Sequence, residues 1–197
     1  IYATVFAPAV QIRTCNVCGY KETRNNGKKL AATMKVNAVK LPLKIKQKTT
    51  VLKVSGLANG DSVASWKPGN TKVVKVSGKP NGTCTLAAGR KKGKTTITII
   101  LKSGLKKKIT ITVQKAAVKT SKITGMPKNL KLKKNQTVTL KAAAAPLTSL
   151  QKLKYKSSNK KIVTVTSKDV IKAKKKGKAV ITVQSGSKTV KCKVTVK

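Results

Sequence analysis

The sequence predicts an all-β chain in which two tandem β-sandwiches follow an N-terminal extended segment. Three observations lead to this prediction: apolar residues alternate with polar ones, turn residues recur at short intervals, and a strand-turn-strand pattern occurs twice. Hydrophobic residues make up 39% of the 197 positions, and only five residues are aromatic. Packing therefore depends on Val, Ile, Leu, Ala and the methyl groups of Thr, which favour strands.

The internal repeat divides the chain into two copies. "WKPGNTKVVKV" from Trp66 aligns with "YKSSNKKIVTV" from Tyr155 at an offset of 89 residues. Further along, "GKTTITI" from Gly93 aligns with "GKAVITV" from Gly177 at an offset of 84. The smaller offset predicts five extra residues in the first copy, and we place them in the hairpin at 78–82.

Alternation within single stretches predicts half-buried strands. In "VKCKVTVK" the residues on one face are Val190, Cys192, Val194 and Val196, and lysine and threonine occupy the other face. Ile109, Ile111 and Val113 repeat this spacing in the first copy. Gly, Pro, Asn and Ser clusters separate such stretches, as in an antiparallel sandwich. We expect a strand and CxxC segment at 1–32, one sandwich at 33–114 and another at 115–197.

The stretch "GRKKGKT" from Gly89 to Thr95 resembles a phosphate-binding loop. That motif needs a glycine one position earlier, where this chain has Ala88, and it should open a helix. Here the following residues, "TTITIIL", predict a strand instead. The second copy has Lys174 to Lys176 in the same place without the first glycine. We therefore interpret the stretch as a solvated basic turn.

The charge balance restricts the chemistry that the chain can perform. Lys and Arg number 46 against 3 Asp and Glu, which gives a formal net charge of +43, and there is no histidine. Without histidine, a histidine-containing catalytic triad is impossible. The acids Glu22, Asp61 and Asp169 are far apart in the sequence, so the sequence does not indicate a catalytic pair of carboxylates. Hard-metal sites lack their usual oxygen ligands as well. We expect no enzyme, no cofactor and no metal site.

The repeated elements carry a family resemblance. An aromatic residue, a turn at "SSN", a Val-x-Val strand, a Gly-Lys turn and a Thr/Ile/Val strand resemble the bacterial immunoglobulin-like domain, group two, over about 160 residues in two copies. The first copy departs from the pattern at Pro68-Gly69 and in its longer hairpin. The resemblance implies immunoglobulin-like sandwiches that act as non-catalytic, extracellular or wall-associated repeats of a bacterial protein.

One large ring begins the aromatic-turn-strand element of each copy. Trp66 and Tyr155 could offer a stacking platform to a ligand. A sandwich core also needs a bulky residue, and each copy has only this one. We expect both rings to be buried, with the Tyr155 hydroxyl near the edge of the core.

The four cysteines fall into two groups. Cys84 and Cys192 lie on the apolar phase of strands, and we expect them to be buried as small hydrophobic residues. Cys15 and Cys18 form a C-x-x-C, which is a redox pair or half of a zinc site in principle. The surrounding segment resembles short CxxCG repeats of secreted Firmicutes proteins, whose remaining part lies upstream. A Cys15-Cys18 disulfide, free thiols and a lost metal site all remain open.

Lysine is the residue type that we expect to carry the function. A surface that serves only to keep a protein soluble usually mixes charges of both signs, whereas nearly all the charges of this chain are positive. The predicted polyanion contacts are the basic turns with Arg90, Lys91, Lys92, Lys94, Lys106, Lys107, Lys108, Lys174, Lys175, Lys176 and Lys178.

Three functional hypotheses follow from these features. The favoured one is a cationic stalk or attachment module that binds anionic cell-wall polymers. The second is a self-associating fibre subunit whose apolar arm, "IYATVFAPAV" at 1–10, adds to a neighbour's sheet. The third is nucleic-acid binding, which we expect only without sequence specificity because aromatic residues and arginine are scarce. No apolar run approaches the length of a membrane span.

Overall fold

A computed structural model describes all residues from 1 to 197 and contains twenty β-strands. It has no helix long and apolar enough to cross a membrane. The chain forms two compact units, Ile1–Lys115 and Ala116–Lys197. The N-terminal segment belongs to the first of them.

The first unit contains eleven strands. They are β1 (Ala9–Thr14), β2 (Lys21–Asn26), β3 (Lys35–Val36), β4 (Lys40–Lys44), β5 (Lys48–Thr49), β6 (Val54–Ser55), β7 (Val63–Pro68), β8 (Val74–Gly78), β9 (Cys84–Ala88), β10 (Gly93–Leu101) and β11 (Lys106–Gln114).

The second unit contains nine strands. They are β12 (Lys122–Thr124), β13 (Asn129–Leu132), β14 (Thr137–Thr139), β15 (Ala143–Ala145), β16 (Lys154–Ser157), β17 (Val163–Val165), β18 (Val170–Ala173), β19 (Gly177–Ser185) and β20 (Lys188–Val196).

The two units have the same strand order. In the first unit a four-stranded sheet has the order β4-β11-β10-β7 and a three-stranded sheet the order β5-β9-β8. The second unit repeats both orders as β13-β20-β19-β16 and β14-β18-β17. A two-stranded sheet accompanies each unit, β3-β6 in the first and β12-β15 in the second. The predicted all-β fold with two tandem sandwiches is confirmed.

One strand pair in each unit runs parallel, which the expectation of a purely antiparallel sandwich missed. β4 pairs with β11 in parallel, and β13 pairs with β20 in the same way. The reason is topological: an early strand and the last strand of a unit meet at the sheet edge after a long connection, so no hairpin forces them to run in opposite directions.

Strand register corrects the position of the extra residues in the first copy. Val74 pairs with Ala88, 14 positions later, and its counterpart Val163 pairs with Ala173, ten positions later. The hairpin therefore holds four of the five extra residues. The fifth lies in the basic turn, which has four residues in the first unit (89–92) and three in the second (174–176).

The cores are aliphatic, and the strand periodicity predicted their members. In the first unit Ile109, Ile111 and Val113 are buried on one face of β11. In the second unit one cluster joins both sheets of the sandwich, with Ile171 of β18, Ile181 of β19 and other residues fully buried. Cys84 and Cys192 lie in these cores at 4% and 0% exposure, as predicted.

The two large rings are half-buried, so the expectation that they fill the cores was wrong. Trp66 lies on β7 with its ring over Gly78 of β8, where an added Cβ would stand 2.0 Å from the ring. Tyr155 packs against the edge of the second core. Leucine, isoleucine and valine fill the centres of the sandwiches, and the rings therefore cover a margin.

The apolar arm at 1–10 is held within the first unit. Val5 is buried at 6% exposure, and its N–H donates to the carbonyl of Asn59 at 3.1 Å. The Asn59 Nδ2 donates to the Ala3 carbonyl at 3.0 Å. Residues 9 and 10 begin β1, which pairs with β2. A donor strand would first have to leave these contacts.

Candidate functional site

In the first unit the predicted basic residues form two groups, one at each end of β10. Arg90, Lys91 and Lys92 form the turn before β10, and Lys94 follows in that strand; all four are exposed. Lys106 to Lys108 pair with 98–100 at the other end of β10, and Lys107 is half-buried. About seven residues of strand separate the two groups, roughly 23 Å.

The second unit presents its own basic turn. Lys174, Lys175 and Lys176 connect β18 to β19, and Lys178 follows in β19. All four side chains are exposed. The predicted residues thus form two basic groups in the first unit and one basic turn in the second.

One of these surfaces includes cations that were not among the predicted residues. A cavity of about 590 Å³ lies beside the turn before β10, and Lys72 and Lys75 line it together with Arg90, Lys91 and Lys92. We call this site the cationic cleft and define it by these five residues. All five are exposed, and no acidic residue lines the cavity.

Strand pairing brings the two halves of the cationic cleft together. Lys75 of β8 pairs directly with Ala87 of β9. The chain then turns at Gly89, so the cations at 90–92 lie beside the start of β8. The rest of the lining is mainly apolar, with Val73, Ala87 and Ala88 among its residues. The cleft therefore combines exposed cations with an apolar part of its lining.

Two glycines hold this turn against the start of β8. A Cβ on Gly89 would lie 2.1 Å from the Lys72 carbonyl oxygen, and a Cβ on Gly93 would lie 2.9 Å from Cγ2 of Val73. The Gly89 N–H donates to the Val73 carbonyl at 2.8 Å. The glycines that made this stretch resemble a phosphate loop thus serve close backbone packing, and β10 follows as the predicted strand.

A polar turn positions Lys72 and Lys75. The Asn70 Oδ1 accepts a hydrogen bond from the Lys72 N–H at 2.9 Å, and the Asn70 carbonyl accepts bonds from Val73 and Val74. This arrangement fixes the chain where it enters β8. Both lysines therefore extend from an ordered backbone.

The corresponding surface of the second unit differs in two ways. Register places Thr164 at the position of Lys75 and Lys172 at the position of Ala87. Lys174 replaces Gly89 and donates its N–H to the Ile162 carbonyl at 2.7 Å. The second unit thus has similar charge around a shorter turn, but it has Lys172 where the cationic cleft has Ala87.

The remaining acidic and aromatic residues lie elsewhere. The Asp61 carboxylate accepts hydrogen bonds from the backbone of Ser62 and from both N–H and Oγ of Ser103. Burial raises the pKa of Tyr155, and the Asp169 carboxylate raises it further. Neither group contributes to the cationic cleft.

The two N-terminal cysteines are free and exposed in the turn between β1 and β2. Backbone N–H groups of Cys18 and Val17, together with the Cys18 thiol, lower the pKa of Cys15. No three His, Cys, Asp or Glu side chains gather where they could hold a metal ion.

Comparison with known proteins gives one family match. The model of the bacterial Ig-like domain (group 2) matches residues 117–196. No curated protein matches the chain.

Solved structures that match the chain include two fragments of a surface-layer protein and an EC1-3 fragment of mouse clustered PcdhgC3. Domains 4 and 5 of the S-layer protein SbsC are 18% identical, with 84% of this chain and 98% of that one covered and a TM-score of 0.40. Domains 4–9 of SbsC are 19% identical, with 96% and 35% covered and a TM-score of 0.43. Mouse clustered PcdhgC3 EC1-3 is 9% identical, with 96% and 76% covered and a TM-score of 0.36. The second unit of the chain is thus matched almost from end to end by a bacterial Ig-like domain of group 2, and the first unit repeats its strand order.

Proposed function

We propose that this chain is a non-catalytic module of a bacterial surface or secreted protein and that it binds anionic polymers, with the cationic cleft as its principal contact. The observation that carries the proposal is the charge of the chain, 46 basic against 3 acidic residues, together with five cations around one cavity. Internal pairing cannot neutralise this excess. Its counter-charges must come from outside these 197 residues.

Simple electrostatics favours a flexible polymer of phosphates or other anions as the partner. The field of exposed lysines extends about 8 Å at physiological salt, so it acts on any anionic chain that passes nearby. The cationic cleft adds geometry to this general attraction, because Lys72, Lys75 and the turn at 90–92 approach the same cavity from two sides. An anionic polymer lying across the cavity can contact both sides at once.

Two other observations support the surface location and the lack of catalysis in this proposal. The family matched by the second unit is bacterial and immunoglobulin-like, as expected of a repeat in a surface protein. The three acids lie at Glu22 in β2, at Asp61 bound to Ser103, and at Asp169 in the other unit. The three are far apart in the sequence, so the chain offers little material for paired-carboxylate chemistry.

Binding to isolated bacterial cell walls tests the proposal. We expect the chain to sediment with walls and to be released as the salt concentration rises from about 50 to about 200 mM, because counterion release makes such binding steeply salt-dependent. Walls stripped of teichoic acid are the control, and they should retain far less protein. Equal retention on stripped walls would contradict the proposal.

Competition distinguishes a wall polymer from nucleic acid. We expect inorganic polyphosphate and DNA of any sequence to displace the chain from walls in proportion to their charge. A DNA of one sequence that competes far better than DNA of scrambled sequence would instead support specific nucleic-acid binding.

A further inference from the structure

A second cavity of the first unit lies on its three-stranded sheet. The volume is about 340 Å³, and the lining includes Lys53 and Lys79 together with the hydroxyl side chains of Thr50, Ser77 and Thr85. All five residues are exposed. We call the three hydroxyl residues the hydroxyl patch. The proposed function makes no use of this cavity so far.

Strand register places the hydroxyl patch beside the cationic cleft. Along β8, Lys75 and Ser77 are exposed and Val74 is buried, so the first two side chains share the outer face of the sheet. Lys75 pairs with Ala87, and Ser77 pairs with Thr85 in the next row on the same face. Successive rows on one face are about 7 Å apart. The two cavities are therefore neighbours on one surface.

Two further cations lie beyond the hydroxyl patch. Lys53 forms a β-bridge with Thr83, and the Lys79 N–H donates to the Thr83 carbonyl at 2.8 Å. Lys79 follows Lys75 by four residues of the hairpin, which corresponds to about 13 Å. The sheet face thus has cations at both ends and hydroxyl groups between them.

The second unit does not repeat the far end of this surface. The Thr166 N–H donates to the Val170 carbonyl at 2.9 Å, and the chain turns directly beyond this pair. By register the pair is the counterpart of Ser77 and Thr85. The shorter hairpin therefore has no row like that of Lys79, and the extra residues of the first hairpin build the far end of the cavity.

The lysines and the hydroxyl patch differ in the ligand groups that they can bind. A lysine ammonium only donates hydrogen bonds, whereas a Ser or Thr hydroxyl both donates and accepts. A fully ionised phosphate offers acceptors but no donor. The accepting capacity of the patch is therefore used only by a ligand that also has donors, such as the hydroxyl groups of a polyol.

We propose that the cationic cleft, the hydroxyl patch, Lys53 and Lys79 form one continuous binding track for a polyol phosphate. Phosphates contact the cations at the two ends, and a hydroxyl-bearing unit between them lies over the patch. This inference rests on the proposed function, because it assumes that the cationic cleft binds anionic polymers. It adds the chemical class of the polymer and the path that it takes.

The test compares two polymers with the same number of phosphates. Poly(glycerol phosphate) and inorganic polyphosphate are titrated into the whole chain by calorimetry at about 0.15 M salt. Charge density alone favours polyphosphate, which has no spacer between its phosphates. We expect the opposite order, with about tenfold tighter binding of poly(glycerol phosphate), because hydrogen bonds to the patch add to the ionic contacts.

Variants of the track separate its hydroxyl groups from its cations. Thr50→Val/Ser77→Ala/Thr85→Val leaves the net charge at +43 and should remove the tenfold preference. Its affinity for polyphosphate should stay the same, which also shows that the fold is intact. Lys53→Gln/Lys79→Gln should reduce the slope of log K against log salt for poly(glycerol phosphate) by about 1.4. An unchanged slope would overturn the proposal.

The second unit supplies the matched control for the hydroxyl patch. Thr137→Val/Thr139→Val/Thr164→Val changes three threonines of the corresponding sheet and should leave the preference intact. Loss of the preference in this control, its survival in the variant of the hydroxyl patch, or equal affinity of the chain for the two polymers would overturn the track and leave the proposed function standing. Binding of neither polymer would overturn both.

Discussion

Neutralising the cationic cleft should change how strongly salt weakens binding to a polyanion. The variant replaces Lys72, Lys75, Arg90, Lys91 and Lys92 by Gln, which lowers the formal net charge from +43 to +38. All five side chains are exposed, so the fold should tolerate the change. The measured quantity is the dissociation constant for inorganic polyphosphate, determined by calorimetry at a series of salt concentrations.

The expected magnitude follows from the number of contacts. Each neutralised phosphate on a flexible single-chain polyanion contributes about −0.7 to the slope of log K against log salt. Five contacts contribute about −3.5, so a fourfold rise in salt should weaken the contribution of the cleft by about 100-fold. The variant should lose this part of the slope and bind much less tightly at about 50 mM salt.

A control of equal charge makes the result specific to the cleft. The second unit offers the exposed lysines Lys161, Lys172, Lys174, Lys175 and Lys176 around the corresponding turn. Replacing these five by Gln also gives +38, and we expect a clearly smaller loss of slope. Equal losses in the two variants would refute the assignment of the cleft, because total charge alone would then explain binding.

Three further predictions concern stability and thiol chemistry. Ser157→Ala removes the 2.6 Å hydrogen bond from Oγ to the buried Val163 carbonyl and should lower the free energy of unfolding by about 1–3 kcal/mol in urea titrations; a loss below about 0.5 kcal/mol would contradict this role. Gly78→Ala places a Cβ against the Trp66 ring and should lower the free energy of unfolding by about 1–3 kcal/mol. Trp66→Leu in the same background should recover part of this loss in a double-mutant cycle. Burial raises the pKa of Cys84 to about 11 from 9.0, so its neutral thiol favours the folded state below pH 9. This contribution to the free energy of unfolding should disappear between pH 9 and 11. Cys84→Ala should therefore show a smaller fall in the free energy of unfolding over that range. An unfolding free energy that falls equally in both proteins would contradict the assignment.

The strands and the core could be predicted from the sequence because alternation directly reports which side chains face inward. Val194 and Val196 are buried as their spacing indicated, and so is Ile111 in the first unit. Alternation does not report the direction of a neighbouring strand. The parallel pair of β4 and β11 therefore lay beyond this kind of reasoning.

The position of the rings was harder to predict for a related reason. Hydropathy and size indicated that Trp66 belongs near the core, but they do not distinguish its centre from its margin. The distinction depends on Gly78, which leaves space beside β7 for the ring. The signal in the sequence for the position of the ring was Gly78, a glycine at the end of a hairpin strand.

The cationic cleft was only half visible in the sequence. The turn at 90–92 was recognised as basic, but Lys72 and Lys75 join it only through the pairing of β8 with β9. The register of that hairpin, with Val74 opposite Ala88, is the information that sequence reasoning lacked. The four inserted residues between these strands concealed it.

The parallel pairing of an early strand with the last strand has a mechanical consequence for each unit. β4 aligns with β11 over five residue pairs, and β13 aligns with β20 over four. If the two ends of a unit are pulled apart, these strands slide in opposite directions along their common axis, and the hydrogen bonds between them are loaded together in shear. Rupture then requires several bonds to fail at once, so each unit should resist a tensile load far better than a hairpin that opens one bond at a time.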